Sequence, residues 1–221
     1  MATVRIGKPR QFQRGVVVLS IHKKKKLHMS TRFHGLLPMV VDVETSGLNP
    51  LTNSLLEVAM VMVGMDAEGR FYTKETYAYH VEPFVGANLD PEALAITGID
   101  PDYPLRYAMT EQQVLHVLFG KVAIALKETH CQRAVLVGHN AWFDLAFLQA
   151  AIKRCKFMNS PFHSFTTIDT ASLSAVALGE TVLARAIKAA GISFDVKLAH
   201  SALYDAEKTA ELFCWLVNRS R

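Results

Sequence analysis

The sequence predicts an α/β fold: a mixed sheet of three antiparallel strands followed by αβα units, flanked by helices. Three observations carry that expectation. Apolar, β-branched runs broken by turn residues fill residues 37–81. Capped helical segments dominate from Asp90 onward. Among the helices stands one short continuous apolar run, Ala134-Val135-Leu136-Val137, of the kind buried on both faces.

The first strand starts after Leu37, with Pro38 as punctuation, and reads Met39-Val40-Val41-Asp42-Val43-Glu44 before the breakers Gly47 and Asn49-Pro50. Leu55 to Met65 is a second strand, Asp66-Ala67-Glu68-Gly69 a hairpin turn, and Thr73 to Val81 a third strand. Asp90 caps a short helix with Pro91 at its first position. Thr110 and Gln113 have capping-box spacing at the head of a longer helix through Leu115, Leu118, Val122 and Leu126. The buried strand 134–137 ends at Gly138. Helices then cover Trp142 to Cys155, Val182 to Ala190 with Gly191 as stop, and Ser201 to Val217.

A chain of 221 residues, half of them hydrophobic and a fifth charged, can bury a substantial core, which excludes global disorder. The net charge of +4 and pI near 9.0 permit a polyanionic partner without demanding one. Cys131, Cys155 and Cys214 are odd in number and widely spaced, which fits reduced thiols in a cytoplasmic protein rather than a disulfide framework. No apolar run approaches the ~20 residues of a membrane span. Val16-Val17-Val18-Leu19-Ser20-Ile21 is too short for a secretory core and runs into Lys23 to Lys26. Residues 1–30 read as a basic N-terminal extension: an exposed tail, an upstream mis-start before Met29, or a basic arm that touches RNA. Residues 31–221 form the domain.

Asp42-Val43-Glu44 is the sharpest local anomaly. Residues two apart on a strand share a face, so both carboxylates point together from an otherwise apolar strand. At about 4 Å they repel by roughly 4 kcal/mol at an effective dielectric near 20, a cost a hard divalent cation would remove. Alone the pattern is weak, because a solvated strand end looks the same. Asp144 and Asp205 add two carboxylates, each in a first helical turn where the helix dipole also favours an acid. The four together can hold two ions, Mg²⁺ or Mn²⁺, about 3.5–4 Å apart for phosphodiester hydrolysis. His200 lies five residues before Asp205, an offset of about 140°, so the two are not a zinc-binding helical pair. On the loop before the helix, His200 can accept a proton from water. His139 is assigned to structure, holding its loop through a hydrogen bond.

Asp42-x-Glu44-Thr45, His139-Asn140-x-x-Phe143-Asp144 and His200-x-x-x-Tyr204-Asp205 resemble the three motifs of the histidine-bearing branch of the DEDD exonuclease superfamily. His80 to Leu89, Pro91 to Ala95 and Pro161-Phe162-His163 are similar, more narrowly, to the ribonuclease T family, and the likeness runs from about Arg32 to Arg219. The resemblance implies a ribonuclease H-like exonuclease fold. It also implies a 3′→5′ exoribonuclease that trims tRNA and small stable RNAs and degrades single-stranded DNA. By it, Asp42, Glu44, Asp144 and Asp205 are the ligands of two Mg²⁺ ions and His200 is the general base. Phe143 and Phe165 match phenylalanines that wedge against terminal bases, while Leu48 and Ile96 replace the other two. Glu92 matches a glutamate near the terminal nucleotide, and reads equally well as an ordinary first-turn acid. The family implies a homodimer in which a basic patch feeds RNA to the partner's site. Arg32, Lys127 and Arg133 match that patch, with His34 where arginine is more usual. The competing readings are a DNA polymerase proofreading exonuclease, an oligoribonuclease, and a non-catalytic nucleic-acid-binding module on the same fold.

Overall fold

Five strands pair in the order β3-β2-β1-β4-β5 in the computed structural model, which describes residues 28–219. They are β1 (Leu36–Thr45), β2 (Leu55–Met65), β3 (Phe71–His80), β4 (Arg133–Gly138) and β5 (Phe162–Asp169). β1 is antiparallel to β2 and parallel to β4. β2 with β3 is antiparallel, and β4 with β5 is parallel. The sheet is therefore mixed, as the strand patterns predicted. β1 sits at its centre, which explains the unbroken buried run from Leu37 to Val41. Pro38 is tolerated there because pairing with β2 begins only at Met39.

The helices are α1 (Met29–Arg32), α2 (Pro91–Thr97), α3 (Glu111–Thr129), α4 (Trp142–Arg154), α5 (Thr170–Leu178), α6 (Leu183–Ala189) and α7 (Ala202–Arg219). Asp90 accepts a hydrogen bond from the Glu92 N–H, and Thr110 and Gln113 form the expected capping box. α7 packs across β1, β2 and β3, whereas α3 and α4 lie against β4 and each other. Arg154 on α4 forms a two-pronged ion pair with Glu111 on α3, at 2.6 and 3.0 Å, and its third donor group reaches the Pro50 carbonyl at 2.9 Å. One side chain thereby ties two helices to the loop that follows β1. No single helix among the described residues is long and apolar enough to cross a membrane.

Three expectations need correction. The third strand begins at Phe71, not Thr73, because Phe71 is buried and both its backbone groups pair with the Asn218 amide of α7, at 2.8 and 2.9 Å. Its end also falls one residue earlier, since Val81 leaves the ladder to bridge Met109. β5 and α5 went unpredicted. β5 is a Ser/Thr-rich edge strand whose ladder is broken opposite Ala134 and Leu136. α5 carries Thr and Ser, which weigh against helix, and has no polar stripe to reveal its period. The extension over residues 1–27 lies outside the described residues. From residue 28 the chain joins the fold, with Met29 buried in the core.

Candidate active site

One strand and two backbone turns bring the acids together where β1 and β4 end. Asp42 and Glu44 leave β1 on one face, alternating with buried Val41 and Val43. β4 stops at Gly138, and Asn140 turns the chain in the left-handed region (φ 68°) into α4. Asp144 is then buried in the first turn of α4, where its Oδ1 accepts the Val43 N–H at 3.1 Å. That bond fixes the α4 carboxylate directly between the two β1 acids in sequence. Gly138 is required for the approach, since a Cβ there would lie 3.0 Å from Asp144 Oδ2 and 3.1 Å from Ala141 Cα.

His200 is also left-handed (φ 65°) and exposed, and its N–H donates to Asp205 Oδ2 at 2.9 Å. The other oxygen, Asp205 Oδ1, is buried with no hydrogen-bond partner among the described residues. Ligand atoms of Glu44, His200 and Asp205 all lie within 4.8 Å of one another.

The electrostatics are those of anions crowded without a counter-charge. Burial, then Asp144, Glu44, Asp205 and Glu57, hold the Asp42 carboxyl well above the usual range. Burial first, then Asp205, Glu57 and Asp144, push Glu44 up to about 8. Asp144 rises to about 7 through burial, although its own N–H and that of Val43 pull the other way. Asp205 is raised by burial and partly relieved by the His200 N–H. Buried acids in this state either keep protons or bind a cation. An orphaned carboxylate oxygen within an all-oxygen acidic set fits hard divalent ions.

His139 bridges with both ring nitrogens, Nδ1 to Thr170 Oγ1 at 3.0 Å and Nε2 to the Thr181 carbonyl at 2.8 Å. It holds the β4–α4 loop, as the sequence suggested. Two acids escaped sequence reasoning. Glu57 on β2 pairs directly across from Glu44, lies 2.9 Å from His80 Nδ1 and receives the Ala202 N–H at 3.4 Å, linking β2 to the head of α7. Strand pairing was the signal that could have found it. Asp169 caps α5 and accepts the Asn140 N–H at 3.0 Å, but it belongs to β5, which was not predicted.

The four apolar residues singled out from the sequence differ in exposure. Leu48 is 83% exposed, Ile96 64% and Phe165 79%, while Phe143 is half-buried against Phe147. The loop bearing Leu48 is fastened to the segment before α2. Asn53 Nδ2 donates to the Ser46 and Asn88 carbonyls at 2.8 and 2.9 Å, and the Asp90 N–H donates to the Ser46 carbonyl at 2.9 Å. Glu92 and Ile96, four apart on α2, share an exposed face.

The basic positions sit elsewhere. Arg133 begins β4 opposite Leu36, six residues before Asp42 on β1. At about 3.3 Å per residue that is roughly 20 Å from the acids. Arg133 donates to the Phe162 carbonyl at 3.1 Å and Arg32 to the Val217 carbonyl at 3.3 Å, so both are partly committed to the fold. Lys127 and His34 are exposed.

An exonuclease family model, RNase_T, matches residues 39–213. Ribonuclease T of Cronobacter sakazakii (strain ATCC BAA-894) is 54% identical over 191 residues, covering 86% of this chain and 86% of that protein. Ribonuclease T of Salmonella choleraesuis (strain SC-B67) is 53% identical over 188 residues, covering 85% and 87%. Among solved structures, E. coli exonuclease I in complex with a dT13 oligonucleotide superposes with a TM-score of 0.63 at 18% identity. The match covers 84% of this chain but only 42% of that one. A full-length 3′-exonuclease gives a TM-score of 0.66 at 17% identity, covering 83% and 60%. At such identities the likeness is one of fold.

Proposed function

This chain belongs to the RNase_T exonuclease family, a 3′→5′ exonuclease acting on single-stranded nucleic acid, and we propose that it trims the 3′ ends of tRNA and other small stable RNAs in the cytoplasm. Single-stranded DNA is a second substrate on this reading. One observation carries the mechanism: Asp42, Glu44, Asp144 and Asp205, from one strand and two helix starts, converge as buried and half-buried acids with an unpaired oxygen among them.

Those four residues would hold two Mg²⁺ ions, with Mn²⁺ able to substitute. Bound there, the ions supply charge stabilisation to the attacking and leaving oxygens of an in-line displacement. His200, on its exposed loop beside Glu44 and Asp205, takes the proton from the attacking water. The water oxygen forms the new bond to phosphorus as the bond to the upstream 3′-oxygen breaks, and that oxygen leaves with a proton from solvent. The product is a nucleoside 5′-monophosphate. On this reading Phe143, Phe165, Leu48 and Ile96 grip the last bases, and Glu92, four residues before Ile96 on α2, lies near the terminal nucleotide.

Roughly 20 Å between Arg133 and the acids supports a homodimer in which Arg32, Lys127 and Arg133 of one subunit hold RNA entering the other's site. Mixing an Asp42→Asn protein with an Arg32→Ala, Lys127→Ala, Arg133→Ala protein should then restore about a quarter of wild-type activity. A verified but inactive mixture would place patch and site on one chain. The function itself is tested by digesting 3′-labelled tRNA beside single-stranded DNA, in Mg²⁺ and in EDTA. Metal-dependent release of labelled mononucleotide from tRNA is expected. Release of internal fragments, or equal release in EDTA, would refute it.

A further inference from the structure

Trp142 is the first residue of α4, two positions before Asp144, and it is 67% exposed. Exposure of so large an apolar ring beside a site is a signal, because tryptophan is usually well covered. The indole N–H has no hydrogen-bond partner among the described residues. The ring is nonetheless held in place. Its edge packs on Phe143 at 5.8 Å and 87°, and Phe143 packs in turn on core Phe147 at 4.9 Å. The turn before it is fixed by both His139 nitrogens and by the Asn140 N–H on Asp169. The exposed indole is thus anchored through Phe143 to the core.

Its direction follows from the helix. Trp142 and Asp144 differ by about 200° around the axis, so the carboxylate turns in toward β1 and the indole turns outward. Trp142 and Gln149, seven apart, share a face and lie about 10 Å apart along the axis. Gln149 donates to the Ser164 carbonyl, next to exposed Phe165. Trp142 therefore stands at the head of α4, two residues before Asp144, on the side of the helix that also faces the Phe165 segment.

We propose that Trp142 is a binding residue that stacks on an unpaired base of the single strand entering the site, and so sets how tightly this chain holds single strands. The inference rests on the function proposed above. The indole supplies the flat, sequence-tolerant surface on which any base can lie. It makes no contact with the reacting phosphate, so its effect belongs to binding and not to the chemical step.

Only two tryptophans occur in the chain. Trp215→Phe, which replaces a ring stacked on Arg219 far along α7, leaves Trp142 as sole reporter. In EDTA, where nothing is cleaved, a ten-nucleotide single-stranded oligoadenylate should quench its fluorescence, and a blunt duplex should not. Trp142→Ala should weaken oligoadenylate binding by about fivefold to a hundredfold, and Trp142→Phe should recover most of it. With Mg²⁺, Trp142→Ala should raise KM while leaving kcat within about twofold. Equal binding by wild type and Trp142→Ala, with both proteins active, overturns this inference and leaves the proposed function standing. Fluorescence that responds to protein concentration and not to oligonucleotide overturns it too, placing the indole between copies of the chain. A wild-type protein that neither binds nor cleaves single strands removes both.

Discussion

Removing divalent metal should make the protein less stable as pH rises from 6 to 8, the reverse of what acids held below their usual pKa by hydrogen bonds or cations do. Glu44 is lifted from 4.5 to about 8, by burial and then by Asp205, Glu57 and Asp144. The native state keeps that proton to about pH 8, while the unfolded chain has released it by about pH 5. Between those values the native state binds more protons, so stability is complete below about pH 4.5 and is lost as pH climbs through 8. From pH 6 to pH 8 the loss through Glu44 alone is about 2 kcal/mol. For a chain of this size that is a fall in Tm of about 4–8 °C. The assay is thermal unfolding in EDTA and in Mg²⁺ at pH 6, 7 and 8, with Glu44→Gln as the control. Wild type should lose stability steeply in EDTA and little in Mg²⁺, and Glu44→Gln should be flatter by the amount given. A Tm in EDTA that is level or rising, or a Glu44→Gln protein as steep as wild type, would refute the reasoning.

His200→Ala should flatten the rising limb of the pH–rate profile measured with chemistry rate-limiting, and an unchanged limb would show that another group activates the water. Gly138→Ala forces a methyl to 3.0 Å from Asp144 Oδ2, so it should cut activity at least tenfold by displacing that carboxylate. Wild-type activity in this variant would mean the acid has room to move. Leu48→Phe with Ile96→Phe should tighten binding of single-stranded 3′ ends by about 1–3 kcal/mol per stacked base at most, and no gain for oligoadenylate or oligocytidylate would mean these positions do not touch bases.

The clustering of the four acids was legible because each motif combines a chemical group with a local structural signal. Asp42 and Glu44 interrupt an apolar strand at period 2, and Asp144 and Asp205 sit where helices start. The first two strands and all five predicted helices read clearly from caps, turn residues and β-branched runs. β5 and α5 did not, because an edge strand rich in Ser and Thr alternates weakly and a uniformly small, apolar helix lacks a period. Asp169 was lost with them. Glu57 was hidden for another reason. Its partner Glu44 lies across the ladder, and only strand register, which no local pattern specifies, sets the two acids face to face. The same holds for Trp142, whose exposure depends on how α4 packs.

The claim that matters most is that the acids work as a metal-holding set. Single-turnover release of 5′-mononucleotide from a 3′-labelled single-stranded RNA, by wild type and by Asp42→Asn in saturating Mg²⁺, tests it most directly. Loss of one ligand should slow release about a thousandfold or more in a protein that is folded and, in EDTA, no less stable than wild type. A folded Asp42→Asn protein that keeps more than a tenth of the wild-type rate would contradict the account.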